Sequence, residues 1–81
     1  MVGIMYIFDI TRNARDIIII GYWCEDNIID DWKIKVPNRN RLVCLSKDNW
    51  NHRFRGMNKD IQIQLILFDE TDAMAFKLRW L

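Results

Sequence analysis

The sequence has few of the residues that catalytic and phosphate-binding sites need. It contains one histidine, one proline and three widely separated glycines among 81 residues. No glycine-rich phosphate loop is therefore present. A Ser-His-acid or Cys-His arrangement would depend on His52 alone, which lies in a polar stretch. We expect a protein that is not an enzyme and that uses no cofactor.

The spacing of the possible metal ligands disfavours a metal site. A zinc site would have to combine Cys24, Cys44 and His52, and no two of them are close enough in sequence to start one. The second candidate is an acidic cluster composed of Glu25, Asp26, Asp30 and Asp31. Its spacing is not that of a calcium loop, so we interpret it as a solvated turn.

Long apolar runs are also absent. None approaches the roughly 18 residues that a membrane-spanning helix requires. The first residues carry neither the basic segment nor the small-residue cleavage site of a secretion signal. We expect no membrane association, a cytoplasmic location and two reduced cysteines.

Hydrophobic residues nevertheless make up 51% of the chain, and aromatic residues 12%. This composition excludes intrinsic disorder and indicates one small globular domain over residues 1–81. A domain of this size has little interior in which to bury its apolar side chains. We therefore expect self-association, most simply as a homodimer.

Five segments have the pattern of β-strands. They are residues 4–10, 17–24, 32–36, 41–45 and 60–68. Four consecutive isoleucines in the second segment favour extended backbone and predict a central strand. The outward lysines of the third segment predict a strand at or near an edge of the sheet. Residues 46–56 fit either a short helix or a loop.

The C-terminal segment, residues 69–81, has the pattern of a capped amphipathic helix. Asp69 is a suitable N-cap, and Ala73, Phe76 and Trp80 share one face. The order of the segments predicts an α+β fold. We expect a mainly antiparallel sheet of four to five strands with the C-terminal helix packed on one face.

Charge is distributed unevenly along the chain. Residues 33–59 hold eight basic residues and one acidic residue, a net charge of +7, and both flanking segments are negative. Arginines interleaved with aromatic residues are typical of surfaces that bind nucleic acid, and a basic segment can equally hold an acidic protein surface. The candidate binding residues are Arg39, Arg41, Trp50, Arg53 and Arg55, with Trp50 as the aromatic anchor. The competing interpretation is a solvated basic face with Trp50 in the core.

The segment from Phe68 to Trp80, FDETDAMAFKLRW, resembles a known group of sequences. Short uncharacterised proteins of T4-like tailed bacteriophages, including marine ones, often end with acids, Asp-Ala, a hydrophobic pair, Phe-Lys-Leu and an aromatic residue. Residues 22–26, YWCED, are similar to such proteins as well. The resemblance implies a phage origin and assigns no site residue.

These observations lead to two functional hypotheses. The first is a non-enzymatic binding protein, a phage accessory factor that acts on a host protein. The alternative is a small nucleic-acid-binding module that uses the basic segment of residues 33–59. Protein recognition would depend on aromatic and arginine anchors, whereas nucleic-acid binding would depend steeply on salt.

Overall fold

The computed structural model describes residues 4–38, 41–46, 50, 54, 56 and 59–81, with the backbone alone for 38 and 41–43. Its elements are β1 (Tyr6–Asn13), α1 (Ala14–Asn27), β2 (Trp32–Asn38), β3 (Arg41–Ser46), β4 (Asp60–Leu67) and α2 (Glu70–Trp80). The first strand leads directly into the first helix because Asn13 is its N-cap. The side chain of Asn13 accepts a hydrogen bond from the backbone N–H of Arg15 at 3.0 Å.

The strands form one sheet in the order β1-β4-β2-β3. Every neighbouring pair is antiparallel, so β1 and β2 run parallel to each other with β4 between them. The helix α1 is the crossover that connects these two parallel strands. The expected α+β fold with an antiparallel sheet and a C-terminal helix is confirmed, with four strands in the described part of the chain.

The register divides the sheet into two faces. The helix face contains the row Phe8, Leu65, Ile34 and Leu45, and both helices pack on this side. The opposite side, called the open face below, consists of Ile7, Asp9, Thr11, Lys33, Lys35, Cys44, Ser46, Gln62, Gln64 and Ile66. Most of its residues are polar or charged, as expected of an antiparallel sheet with one solvated face.

The C-terminal helix is anchored as its sequence predicts. Phe76 is fully buried, with its ring centroid 5.0 Å from that of Phe8 and 6.1 Å from that of Trp23. Asp69 is the N-cap, and its Oδ2 accepts a hydrogen bond from the backbone N–H of Asp72 at 3.1 Å. Among the described residues, no helix is long and apolar enough to cross a membrane.

The predicted central strand at residues 17–24 is wrong, because this segment lies within α1. Its buried residues recur every three or four positions and are Ala14, Ile17, Ile20, Gly21 and Cys24. An isoleucine run fits a buried strand and a buried helix equally well by periodicity, and tertiary packing overrides the β preference of isoleucine. Half of the Ile19 side chain remains exposed, at 50%, which a strand buried on both faces would not allow.

The prediction that residues 32–36 form a strand at or near an edge of the sheet is confirmed, because β2 lies next to β3, the end strand of the described sheet. The strand β2 pairs with β3 on one side and β4 on the other, so Lys33 and Lys35 belong to an interior strand. Both lysines are half-buried on the open face. Of the ambiguous segment 46–56, Trp50, Phe54 and Gly56 are described after Ser46. Trp50 and Phe54 are buried in the core against the helix face, and Gly56 is exposed.

A close contact joins α1 to Trp50. A Cβ atom placed on Gly21 would lie 2.7 Å from Cε3 of Trp50 and still closer to Cζ3 and Cη2. Only glycine therefore lets the indole ring lie directly against the helix backbone. Glycine usually weakens a helix interior by about 1 kcal/mol relative to alanine, so the packing at this position outweighs helix propensity.

We expect Gly21→Ala to destabilise the protein although alanine is the better helix former. Overpacking of a tight contact costs about 1–3 kcal/mol, which exceeds the gain in helix propensity. In a Trp50→Leu background the ring is gone, and the same substitution should then stabilise. Urea denaturation of the wild type, the two single variants and the double variant checks this change of sign. A stabilising effect of Gly21→Ala in the wild-type background would contradict the packing described above.

Candidate functional site

The structure places the predicted binding residues in different situations. Arg39, Arg53 and Arg55 lie outside the described residues. Arg41 is the first residue of β3, and its side chain is likewise not described. Trp50 is buried, with 1% of its surface exposed. The described residues therefore do not assemble these five into one surface.

Trp50 is a core residue and not an exposed anchor. Its indole N–H donates a hydrogen bond to Oε1 of Glu25 at 2.8 Å. Its ring centroid is 6.1 Å from that of Trp32 and 5.2 Å from that of Tyr22. The ring thus fills the space between α1 and β2, and Glu25 satisfies its one polar atom.

Acidic residues collect where α1 ends, where β2 begins and where α2 begins. We call this region the acidic end, and it comprises Glu25, Asp26, Asp30, Asp31, Asp69, Glu70 and Asp72. The sheet topology explains the clustering. The start of β2 is paired with the end of β4, so the connections before β2 and after β4 leave the sheet side by side. Seven of the 11 carboxylates of the chain lie there.

Helix stability explains only some of these acids. Asp69, Glu70 and Asp72 lie in the first turn of α2 or at its cap, where the helix dipole favours negative charge. Glu25 and Asp26 lie at the opposite pole, in the last part of α1, and its last turn has no basic residue. Acids at a helix C-terminus are each unfavourable by about 0.3–1 kcal/mol. Glu25 accepts the indole N–H of Trp50, so Asp26 is the acid at this pole with no folding role among the described contacts.

The connection between α1 and β2, residues 28–31, is called the acidic loop below. Each of its backbone N–H groups, and that of Trp32, donates a hydrogen bond. Ile28 donates to the carbonyl of Cys24, and Asp31 and Trp32 each donate to the side chain of the preceding aspartate. A loop with every N–H group bonded in this way has little freedom to move.

Asp72 holds the middle of the acidic loop. Its Oδ1 accepts a hydrogen bond from the N–H of Ile29 at 3.4 Å, and its Oδ2 accepts one from the N–H of Asp30 at 3.2 Å. The carboxylate is 3% exposed, and it is the one buried charged residue among those described. Asp72 thereby fixes the start of α2 to the loop that follows α1.

The acidic loop projects a large apolar side chain into solvent. Ile29 is 92% exposed, although its backbone is held by Asp72. A cleft of about 350 Å³ lies beside it, lined by Ile29, Asp30, Asp69, Thr71 and Asp72. An isoleucine at the rim of an acidic cleft complements a partner surface that pairs an apolar pocket with lysine or arginine side chains. The acidic cluster was identified from the sequence, but Ile29 was not. The signal that could have indicated Ile29 is the pair of isoleucines, Ile28 and Ile29, between acidic residues.

Two further kinds of site, a nucleophilic cysteine and a metal site, have little support among the described residues. Burial, with the nearby Asp72 and Glu25 carboxylates, raises the pKa of the Cys24 thiol to about 12, so Cys24 stays protonated at neutral pH. In the described part of the chain, no three or more His, Cys, Asp or Glu side chains are placed so that they could hold a metal ion together. Asp30, Asp31, Asp69 and Asp72 each already accept a backbone hydrogen bond.

Comparisons with known proteins give no further guide. No family model, curated protein or solved structure matches this chain. What the chain recognises must therefore be inferred from its own residues. Among the described ones, the acidic loop combines rigidity, charge and an exposed apolar side chain.

We expect Asp72→Ala to release the acidic loop. The N–H groups of Ile29 and Asp30 lose their acceptor, and each unpaired group costs about 1–3 kcal/mol unless water replaces it. Amide hydrogen exchange should accelerate at these two positions, with a lower midpoint of urea denaturation. Glu70→Ala, an exposed acid in the same helical turn, is the matched control. Unchanged exchange at Ile29 and Asp30 would show that Asp72 does not hold the loop.

Cys24 should make stability fall in alkaline solution. Its pKa in the folded state is about 12 and its ordinary value is 9.0, so the unfolded chain loses this proton first as the pH rises. The contribution of the buried thiol to the free energy of unfolding is complete below pH 9.0. It decreases between pH 9.0 and about 12, by at most about 1.4 kcal/mol per pH unit. Urea midpoints measured across this range should fall more steeply for the wild type than for Cys24→Ala. Parallel curves would contradict the assignment, and the exposed Cys44→Ser variant serves as the control.

Proposed function

We propose that this chain is a non-enzymatic binding protein whose acidic loop docks on a basic protein surface, with Ile29 as the apolar anchor. The observation that carries this proposal is the presentation of Ile29. The side chain is 92% exposed on a loop whose backbone is fixed by Asp72. Exposing an isoleucine on a rigid loop does nothing for folding, whereas a preorganised anchor lowers the entropic cost of binding.

Charge supports the same partner chemistry. The acidic end carries acids at the C-terminal pole of α1, where they oppose the helix dipole. Negative charge kept at an electrostatic cost is consistent with attraction of a positively charged partner. The resemblance of the C-terminal segment to phage proteins suggests the biological setting, an accessory factor that acts on a protein of the bacterial host.

The alternative is a nucleic-acid-binding module, supported by Lys33 and Lys35. Both lie on the open face, where Lys35 is paired in register with Gln64. Two features weigh against it. The described open-face residues include no aromatic side chain for base stacking, and Asp9 accepts a hydrogen bond from Gln64 in the same row at 3.1 Å. The aromatic residues Trp50 and Phe54 of the basic segment are in the core.

We expect Ile29→Ser to abolish partner binding without changing stability, because the side chain is almost fully exposed. Leu78→Ser is the matched control, since Leu78 is 87% exposed on α2, away from the acidic loop. The measurement is capture of proteins from nuclease-treated bacterial lysate by each immobilised variant. A discrete basic protein held by the wild type and by Leu78→Ser, but not by Ile29→Ser, supports the proposal.

Two results would contradict it. Equal capture by Ile29→Ser and the wild type removes Ile29 as the anchor. Capture that disappears after nuclease treatment, and that is also lost in a Lys33→Ser/Lys35→Ser variant, favours the nucleic-acid module. Salt titration provides a further distinction, because binding to a phosphate backbone weakens by about one log-log slope unit per phosphate contact.

A further inference from the structure

The first strand, β1, is an edge strand without the usual protection against pairing with another chain. It occupies one end of the sheet order and is 8 residues long. Its pairing with β4 is continuous from Tyr6 to Asn13, so no bulge interrupts it. It contains no lysine, proline or glycine. Proteins normally block such edges with charged side chains, proline, bulges or a covering element, and the charged residues of β1, Asp9 and Arg12, lie in its second half.

The residues that could protect an edge are placed elsewhere. Lys33 and Lys35 belong to the part of β2 that is paired on both sides, and Pro37 belongs to its end, which is paired with β3. The outer side of β1 is paired with no strand in the described part of the chain. Among the described residues, no strand therefore pairs with its backbone N–H and C=O groups on that side, where a further strand would add.

Exposed apolar side chains accompany the first half of this edge. Ile4 is 68% exposed, Met5 56% and Ile7 49%. Met5 and Ile7 are two residues apart and so project on the same side, the open face. The first charged residue along the edge is Asp9. The edge is thus apolar from residue 4 to residue 8 and polar beyond it.

We propose that two copies of this chain pair through β1, antiparallel, about a twofold axis near Tyr6. The two four-stranded sheets then become one continuous sheet with all helices on the same side. In this register Met5 lies opposite Ile7 of the second copy, and Ile4 lies opposite Phe8. The exposed apolar side chains of each copy cover those of the other, as cross-strand pairs do within a sheet.

The charge pattern of β1 favours a second copy of this chain as the pairing partner, and it favours the register centred near Tyr6. A twofold axis at Asp9 would place two carboxylates directly opposite each other, which is unfavourable. An axis near Tyr6 leaves Asp9 and Arg12 outside the pairing of residues 4–8. The apolar segment therefore matches the same segment of a second copy without repulsion. The paired residues 4–8 do not include the acidic loop of the proposed function, although both lie toward the same end of the sheet.

The test is the oligomeric state in solution, measured by sedimentation and light scattering. The wild type should be a dimer at high micromolar concentration. Ile7→Lys should raise the dimer dissociation constant roughly a hundredfold, about tenfold from each copy, because a lysine disfavours strand addition. Ile19→Lys is the matched control and should remain dimeric, since Ile19 is 50% exposed on α1.

A second variant keeps the test sharp if Ile7→Lys fails to fold. Met5 precedes β1 and takes no part in the pairing with β4, so Met5→Lys tests the same interface without touching the ladder. A cross-link checks the register. Met5→Cys/Ile7→Cys in a Cys44→Ser background should form covalent dimers under mild oxidation.

Three results would overturn the proposal. The first is a wild type that is monomeric at high micromolar concentration. A β1 edge that pairs with a strand of another protein, and not with a second copy of this chain, is included in this result. The second is a dimer that Met5→Lys and Ile7→Lys leave intact. The third is a dimer in which the paired cysteines do not cross-link, which removes the register centred near Tyr6.

Discussion

The buried carboxylate of Asp72 is the interaction on which the arrangement of this small domain depends. Both helices pack on one face of the sheet, and Asp72 is where the start of α2 meets the loop that follows α1. Its backbone N–H is bonded to the N-cap Asp69, and its side chain is bonded to two backbone N–H groups of the acidic loop. A charge at 3% exposure is tolerable only with such partners. Asp72 thus joins the first turn of α2, which Asp69 caps, to the acidic loop and positions Ile29.

The same region holds a conflict between helix stability and charge. In α1 the first turn contains an acid, as the dipole favours, but the last turns also contain Glu25 and Asp26. Glu25 has a structural role, because it accepts the indole N–H of Trp50. Asp26 has no such bond among the described contacts and is exposed. A residue such as Asp26, which is unfavourable for helix stability and makes no compensating contact, is typical of a surface that is used for binding.

The parts of the fold that the sequence predicted are those with local signals. The C-terminal helix has its cap and its buried face within 12 residues, and β4 alternates over a similar span. The helix α1 was not predicted because four consecutive isoleucines hide the helical period of three to four residues in its apolar pattern. Which of its residues are buried depends on residues distant in sequence, such as Trp50. The acidic cluster of the candidate site was found from the sequence, but the role of Asp72 and the exposure of Ile29 were missed for a related reason. The Asp72 carboxylate accepts a hydrogen bond from the backbone N–H of Ile29, which is 43 positions away in sequence, and no local sequence pattern predicts that contact.

Trp50 illustrates how a residue that resembles a binding anchor becomes part of the core. It stands among arginines in sequence, which favours an exposed aromatic surface. Glycine at position 21, however, opens a recess on α1 that its ring fills, and Glu25 provides the acceptor that its N–H needs. A buried indole with a satisfied N–H is stable, whereas an exposed one would leave a void against the helix. The aromatic residue is thereby used to attach the basic segment to α1, and it is not available as an exposed anchor, unlike Ile29 and the apolar side chains at the edge of β1.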